Sequence, residues 1–267
     1  MIPLVLRRYA RLWIYLARRS LMTQVTYRGD FFLGLARNAA TVALILVFYS
    51  VLFLRTSSIA GWNLSALLVL YGSFRLVRGI LYFFAEDTIT AIPEAVRRGE
   101  LDFILFKPVN ARFLLTCAQV NLGAALNAAI GLGLVIYGVR TGHTAITAGA
   151  VAGYAALIAC AVITFYNLLF MVMTLSFWVV KVDGLRYLFE EVMNMAGLPS
   201  GAYRGALRVL FSYLLPLGVA ATIPAGVLTG HATPGFYLYA PICALVSSLA
   251  STWLWRRALA AYTSAGG

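Results

Sequence analysis

The chain has 267 residues, of which 62% are hydrophobic and only 11% are charged. Soluble domains are typically about 45–50% apolar and about 25% charged, so a water-soluble globule is excluded. The net charge of +12 lies mostly between apolar runs, which is typical of a polytopic membrane protein and not of a nucleic-acid-binding protein.

The first 30 residues predict a helix that lies in the membrane interface. Its arginines share one side of an ideal helix, and its apolar and aromatic residues share the opposite side. We expect the basic side to meet anionic headgroups and the aromatic side to meet the acyl boundary. The charges leave no apolar core for a cleavable signal peptide. The residues assigned to the interface are Arg7, Arg8, Arg11, Trp13, Arg18 and Arg19.

Six continuously apolar segments follow, each long enough to cross about 30 Å of hydrocarbon as a helix of about 20 residues. Strands of a membrane barrel would alternate apolar and polar residues instead. The predicted fold class is therefore an all-α membrane protein with six transmembrane helices after the interfacial helix, in one domain over 1–267. The predicted spans are 31–54, 64–85, 113–139, 148–180, 206–228 and 236–255.

The second span carries two arginines, Arg75 and Arg78, on one helix face. A charge inside the bilayer is costly, so these side chains could line a path for an anionic substrate. The alternative, which the sequence favours, is that they snorkel to the cytoplasmic surface or pair with Glu86 or Asp87.

The longest polar connection is 86–112, and it predicts a short helix over 93–98. This helix begins with a proline and a glutamate, which suit its first turn, and ends with two arginines, which suit the negative end of its dipole. Gly99 can adopt the left-handed conformation that ends a helix, and the apolar stretch 103–106 follows. Two interpretations remain open: a loop built to contact a cytosolic partner, or an interfacial helix beneath the bilayer.

Two amides of the third span, Asn121 and Asn127, could touch a substrate, although hydrogen bonding between helices is their commoner use. The residues assigned to a possible translocation path are therefore Arg75, Arg78, Asn121 and Asn127.

The distribution of Lys and Arg predicts the orientation of the chain. The N-terminal arm carries six, the loop after the second span four, the loop after the fourth span four and the tail two. The opposite side has only Arg55 and Arg140. By the positive-inside rule, we expect both termini in the cytoplasm.

Three stretches resemble permease subunits of type-2 ABC exporters, in a bacterial branch whose permease genes often occur in pairs. Residues 97–110, RRGELDFILFKPVN, are similar to the signature of this family. The beginning of the first span, YRGDFFLG at 27–34, resembles the family's start. The tail, with RR at 256–257 and YTSAGG at 262–267, resembles its ending.

The resemblance implies a subunit of the bacterial inner membrane that pairs with a second permease, the same chain or a sister chain, and with two cytosolic ATP-binding cassette subunits. In this family the loop after the second span holds a coupling helix that rests on the ATPase. A small helical hairpin near the fifth and sixth spans would have to include residues around Pro216 and Pro224. The coupling role falls on Pro93, Glu94, Ala95, Val96, Arg97 and Arg98, with Gly99, Glu100 and Asp102 as the return.

The chain lacks the G-x-x-x-x-G-K-[ST] motif, so we expect ATP and Mg²⁺ on the partner subunits and no cofactor, metal or catalytic residue in this chain. A membrane-embedded lipid-modifying enzyme would need an acid–base pair or an activated nucleophile at the membrane surface. An ATP-independent channel or carrier is the other alternative, and a carrier would need acidic residues at mid-membrane. The sequence favours the exporter subunit over both, without identifying its substrate.

Overall fold

The computed structural model describes residues 2–26, 28–144, 146–179, 183–203, 205–211, 215–232 and 234–262. These residues are mainly helical and contain no β-strand, which confirms the all-α prediction. The helices are α1 (Ile2–Thr26), α2 (Arg28–Phe53), α3 (Leu64–Leu81), α4 (Asp87–Ile89), α5 (Ile92–Arg97), α6 (Leu101–Leu105), α7 (Ala111–Cys117), α8 (Leu122–Thr141), α9 (Ala148–Thr174), α10 (Asp183–Met195), α11 (Gly205–Val209), α12 (Leu217–Ala220), α13 (Thr222–Thr229) and α14 (Phe236–Ala261).

Within these described ranges, five helical stretches are long and apolar enough to cross a membrane. They overlap the first four predicted spans and the last one. They are Phe32–Phe53, Leu64–Arg97, Leu122–Thr141, Ala148–Phe177 and Phe236–Ala261.

The third predicted span, 113–139, begins too early. Its first residues belong to α7, and the chain then breaks before α8 begins at Leu122. Asn121 caps α8, since its Oδ1 accepts a hydrogen bond from the backbone N–H of Ala124 at 3.1 Å. Hydropathy does not register this break, because the residues on both sides of it are apolar.

The fifth predicted span, 206–228, is wrong as a single helix. It contains α11, α12 and α13, of 5, 4 and 8 residues, which are too short to cross a bilayer. Pro216 precedes α12, and Ala221 separates α12 from α13 with φ −141° and ψ −55°. The apolar side chains of Val219 and Ala225 are buried within the protein and not exposed to lipid. Hydropathy cannot distinguish these two environments.

Residues 183–203 belong to the predicted polar loop between the fourth and fifth spans. In the structure, part of this segment packs beside α3. A Cβ atom added at Gly197 would lie 3.2 Å from Cδ1 of the Phe74 ring. Further along, Gly201 lies beside Ala60 in the loop before α3. The end of this segment therefore lies beside the middle of α3 and beside the loop that precedes α3.

The core centres on α3, in which 13 of 18 residues are buried. Small residues let α3 and α8 approach closely. A Cβ atom added at Gly72 would lie 2.7 Å from the carbonyl oxygen of Gly131, and one at Gly79 would lie 2.7 Å from the Cα of Ala128. The contact between these two helices is therefore backbone against backbone.

We expect Gly79→Ala to destabilise the protein by about 1–3 kcal/mol, because the added methyl group must push α8 away from α3. Thermal unfolding of the purified chain in detergent measures this effect. Gly133→Ala is the matched control, since nothing lies within 4 Å of its added Cβ and alanine favours a helix by up to about 1 kcal/mol. Equal melting temperatures for the two variants would contradict the close packing.

The helix α3 continues almost directly into the predicted coupling helix. A π-helical turn, Tyr82–Glu86, joins α3 to α4, and backbone hydrogen bonds of 2.9 and 3.0 Å carry the chain onward into α5. Ile89 and Ile92 are fully buried at this junction. The segment that projects from the bundle is thus an extension of its most buried helix.

Candidate functional site

A cavity of about 1430 Å³ lies between α1 and α2 on one side and α3 and α8 on the other, and it extends to α5 and α6. Polar and apolar side chains both line it. The lining includes all four residues of the predicted path, Arg75, Arg78, Asn121 and Asn127.

Arg75 is 5% exposed and lies among neutral oxygen atoms. Its Nη1 donates to Tyr71 Oη at 3.1 Å, and its Nη2 donates to Oδ1 of both Asn38 and Asn127. The guanidinium also lies over the Tyr71 ring, 5.8 Å from its centroid. Arg75 therefore neither snorkels to the surface nor pairs with an acid in the described part of the chain, which corrects the interpretation favoured by the sequence.

Arg78 joins α3 to α10 through an ion pair. Its Nη2 lies 2.7 Å from Glu190 Oε2, and its Nη1 donates to Asn194. Tyr82 Oη donates to the same Glu190 oxygen at 2.5 Å, and its ring lies under the Arg78 guanidinium. The predicted pairing with Glu86 or Asp87 does not form among the described side chains. No local sequence pattern indicates this contact, because Glu190 lies 112 positions from Arg78.

Asn121 lies at the break between α7 and α8, and its side chain hydrogen-bonds across this break. Residues of α1 also hydrogen-bond the backbone there. Its Nδ2 donates to Asp87 Oδ2 at 3.0 Å. From α1, Ser20 bonds the backbone of Val120, and Gln24 Oε1 accepts from the N–H of Leu122 at 3.0 Å. Asn121 thus has a structural role as well as a place in the cavity wall.

The arginines assigned to the membrane interface, Arg7, Arg8, Arg11, Arg18 and Arg19, are all exposed on α1. Two rings on the aromatic side of this helix pack on other aromatic rings of the protein. The ring of Tyr9 meets Phe113 at 4.8 Å, and that of Trp13 meets Phe84 at 5.9 Å.

The predicted coupling segment folds as two short helices with a tight turn between them. The helix expected over 93–98 is present as α5, and Gly99 takes the left-handed conformation with φ 70°. Pro93, Ala95 and Val96 are half-buried, and Leu101 fixes α6 to the core with no exposed surface.

The charged residues of this segment form a local cluster. Glu94 pairs with both Arg97 and Arg98 within one turn of helix, and Arg98 lies 3.9 Å from Glu100. Exposed pairs of this kind contribute little to stability, so they do not explain the fold of the segment. Asp102 contacts the C-terminal end of α14, where burial and this carboxylate raise the pKa of Tyr262.

Two aromatic side chains of this segment face outward. Phe103 is 73% exposed and Phe106 is 86% exposed. Together with the neighbouring charges, they form an amphipathic surface that has no partner in the described chain.

Sequence reasoning missed Arg112, which joins three helices. Its three guanidinium nitrogens donate to four neutral acceptors at 2.7–3.2 Å, and its plane lies over two aromatic rings. The acceptors are Tyr166, Asn167, Ser251 and Thr252, and the rings are those of Tyr166 and Phe170.

An all-helical bundle with stretches of membrane length and a large cavity lined by polar and apolar side chains has the features of a multi-pass membrane transporter. A family model described as "ABC-2 family transporter protein" matches residues 39–266, which is most of the chain. The chain therefore belongs to the ABC-2 transporter family, as a membrane-embedded permease subunit, and membership of this family implies association with ABC ATPase subunits. This confirms the resemblance found in the sequence. No curated protein and no solved structure matched the chain.

Proposed function

We propose that this chain is the permease subunit of an ATP-driven exporter, and that residues 93–102 transmit the motion of separate ATPase subunits to it. The observation that carries this proposal is the direct continuation of α3 into α5. A force applied to α5 acts on a helix that is buried along most of its length, and not on a flexible connector.

The surface of α5 and α6 has the composition of a docking site. The exposed rings of Phe103 and Phe106 supply apolar contact area, and the charged cluster around Glu94 supplies polar contacts at its edge. Interfaces of this type combine aromatic anchors with a polar rim. We therefore assign the coupling role to this segment, with the ATPase as its occupant.

The proposed topology places both termini in the cytoplasm. We infer that the whole stretch 183–203, and not the 13-residue helix α10 alone, supplies a fifth crossing beside α3, and that the short helices α11 to α13 return within the protein on the far side. With the five long helical stretches, this makes six crossings. The excess of Lys and Arg in the N-terminal arm, the 86–112 segment and the tail then faces the cytoplasm of a bacterial cell, whereas Arg208 of the predicted fourth loop lies in α11 on the far side.

The proposed assembly contains two permeases and two cytosolic ATP-binding cassette subunits, with ATP and Mg²⁺ bound by the latter. The cavity beside Arg75 and Arg78 forms this chain's part of the path. When the ATPases close, α5 and α6 move, and the π-helical turn Tyr82–Glu86 provides a point at which α3 can adjust, since such turns interrupt regular helical hydrogen bonding.

The test is co-expression of the full chain with an ABC ATPase from the same genome, with and without a second permease chain, followed by purification from membranes. We expect a stable complex whose ATP turnover in lipid nanodiscs differs from that of the ATPase alone. Arg97→Glu combined with Glu100→Arg should weaken this association without altering membrane insertion. Transport by the purified chain with no ATPase present would overturn the proposal and favour a channel or carrier.

A further inference from the structure

Arg75 is a buried cation with no counterion among the described residues. Its three contacts, to Tyr71, Asn38 and Asn127, are all with neutral oxygens, and its Nε has no hydrogen-bond partner. Arginine keeps its proton even when it is buried, so the charge persists. A charge in a membrane span without an opposite charge is unfavourable, and it indicates a functional role.

Two other arginines of the chain show how such a group is satisfied when its role is structural. Arg78 has the carboxylate of Glu190 at 2.7 Å. Arg112 has acceptors for all three of its guanidinium nitrogens and two aromatic rings against its plane. Arg75 has neither arrangement, although it is more buried than Arg78.

The groups around Arg75 include donors that are free for an anion. Asn38 and Asn127 both use their Oδ1 atoms to accept from Arg75, and neither Nδ2 group donates to an acceptor in the described chain. Two guanidinium N–H groups, one of them at Nε, and two amide NH₂ groups therefore have no acceptor among the described residues around Arg75. Donors alone, around one positive charge, match the oxygens of a phosphate or a carboxylate.

The shape of the cavity favours an amphiphile over a small free anion. Its volume of about 1430 Å³ exceeds the roughly 300–1,000 Å³ of sites for small ligands. Its wall also includes the apolar side chains of Ile45, Phe74 and Leu115. An inorganic anion would leave most of this space unfilled, whereas an anionic lipid can place its headgroup at Arg75 and its acyl part along the apolar wall.

We propose that Arg75, Asn38 and Asn127 bind the anionic headgroup of an amphiphilic substrate. This inference rests on the proposed function, because it takes the cavity to be the translocation path. The headgroup oxygens accept hydrogen bonds from the guanidinium and the two amides, and the negative charge neutralises Arg75.

The experiment measures lipid binding to the full chain purified in dodecyl maltoside, with no ATPase present. The probes are fluorescent phosphatidylglycerol, which is anionic, and fluorescent phosphatidylcholine, which is zwitterionic, at equal mole fraction. We expect phosphatidylglycerol to bind about tenfold more tightly or better, since a hydrogen-bonded charge pair is lost with the neutral headgroup. Millimolar inorganic phosphate should not displace it. Displacement by phosphate would overturn the assignment of an amphiphile.

Two variants test whether phosphatidylglycerol binding depends on the positive charge of Arg75. Arg75→Gln removes the charge, and Asn38→Asp places a carboxylate where an oxygen already contacts the guanidinium, so that an internal counterion replaces the lipid. We expect both variants to lose at least about tenfold in affinity for phosphatidylglycerol. Asn38→Asp should keep the melting temperature of the unaltered chain, so loss of binding there is not unfolding. Arg140→Gln, an exposed arginine outside the cavity, is the matched control and should bind normally.

The outcomes separate this inference from the proposed function. Unchanged phosphatidylglycerol binding in Asn38→Asp would overturn the anion site, whatever the ATPase does. If binding depends on Arg75 but the chain neither associates with an ATPase nor alters its turnover, the anion site stands and the exporter assignment fails.

Discussion

Replacing both Phe103 and Phe106 with alanine is expected to reduce the amount of ATPase that co-purifies with the chain by about tenfold or more. Both rings are largely exposed in the chain, so their removal leaves the bundle intact. Burying one aromatic side chain in an interface contributes roughly 1.5–3 kcal/mol, and about 1.4 kcal/mol corresponds to a tenfold change in affinity. Quantitative co-purification of the co-expressed subunits measures the effect.

The matched control for this prediction is Leu44→Ala with Phe48→Ala. These side chains of α2 are also exposed, at 70% and 59%, but they lie far along the sequence from the coupling segment. This variant should retain the ATPase. If the control and the Phe103/Phe106 variant co-purify with equal amounts of ATPase, the docking surface lies elsewhere on the permease.

Arg112→Leu is expected to destabilise the protein by roughly 2–3 kcal/mol. Hydrogen bonds between membrane helices average about 0.6 kcal/mol each, and this substitution removes four of them together with two contacts to aromatic rings. It also leaves the buried side chains of Asn167 and Ser251 with one fewer donor. The melting temperature in detergent, monitored by intrinsic tryptophan fluorescence, gives the magnitude.

Arg112→Lys provides an intermediate case, because an ammonium group cannot reach four acceptors in the fixed geometry of a guanidinium. Its melting temperature should fall between those of the unaltered chain and Arg112→Leu. Arg140→Leu removes an exposed arginine and should change the melting temperature little. A chain with Arg112→Leu that melts at the unaltered temperature would refute the structural role of this residue.

The fold class and most of the spans were predictable because membrane insertion depends on the local density of apolar residues. The short helix before Gly99 was predictable for a similar reason, since its start and end signals are all within a few residues of one another. The fifth span failed because segment 206–228 is apolar in composition but folds as short helices that bury their side chains against protein. An apolar composition indicates that a segment is shielded from water. It does not distinguish burial against protein from exposure to lipid.

The partners of the intramembrane arginines were not predictable from the sequence. Glu190 lies 112 positions from Arg78, in a segment whose charges predict a cytosolic loop. Asn38 lies 37 positions before Arg75, on a helix that otherwise has few buried residues. Long-range pairs of this kind depend on how helices assemble, and no local pattern specifies that arrangement.

The helix α1 is attached to both ends of α7. At one end, Tyr9 Oη accepts a hydrogen bond from the backbone N–H of Asn110, and at the other, Ser20 bonds Val120. The same helix carries five exposed arginines, of which Arg8 donates to the carbonyl oxygen of Pro108 and Arg19 lines the cavity. A displacement of α1 would therefore reach both ends of α7, the helix that follows the coupling segment.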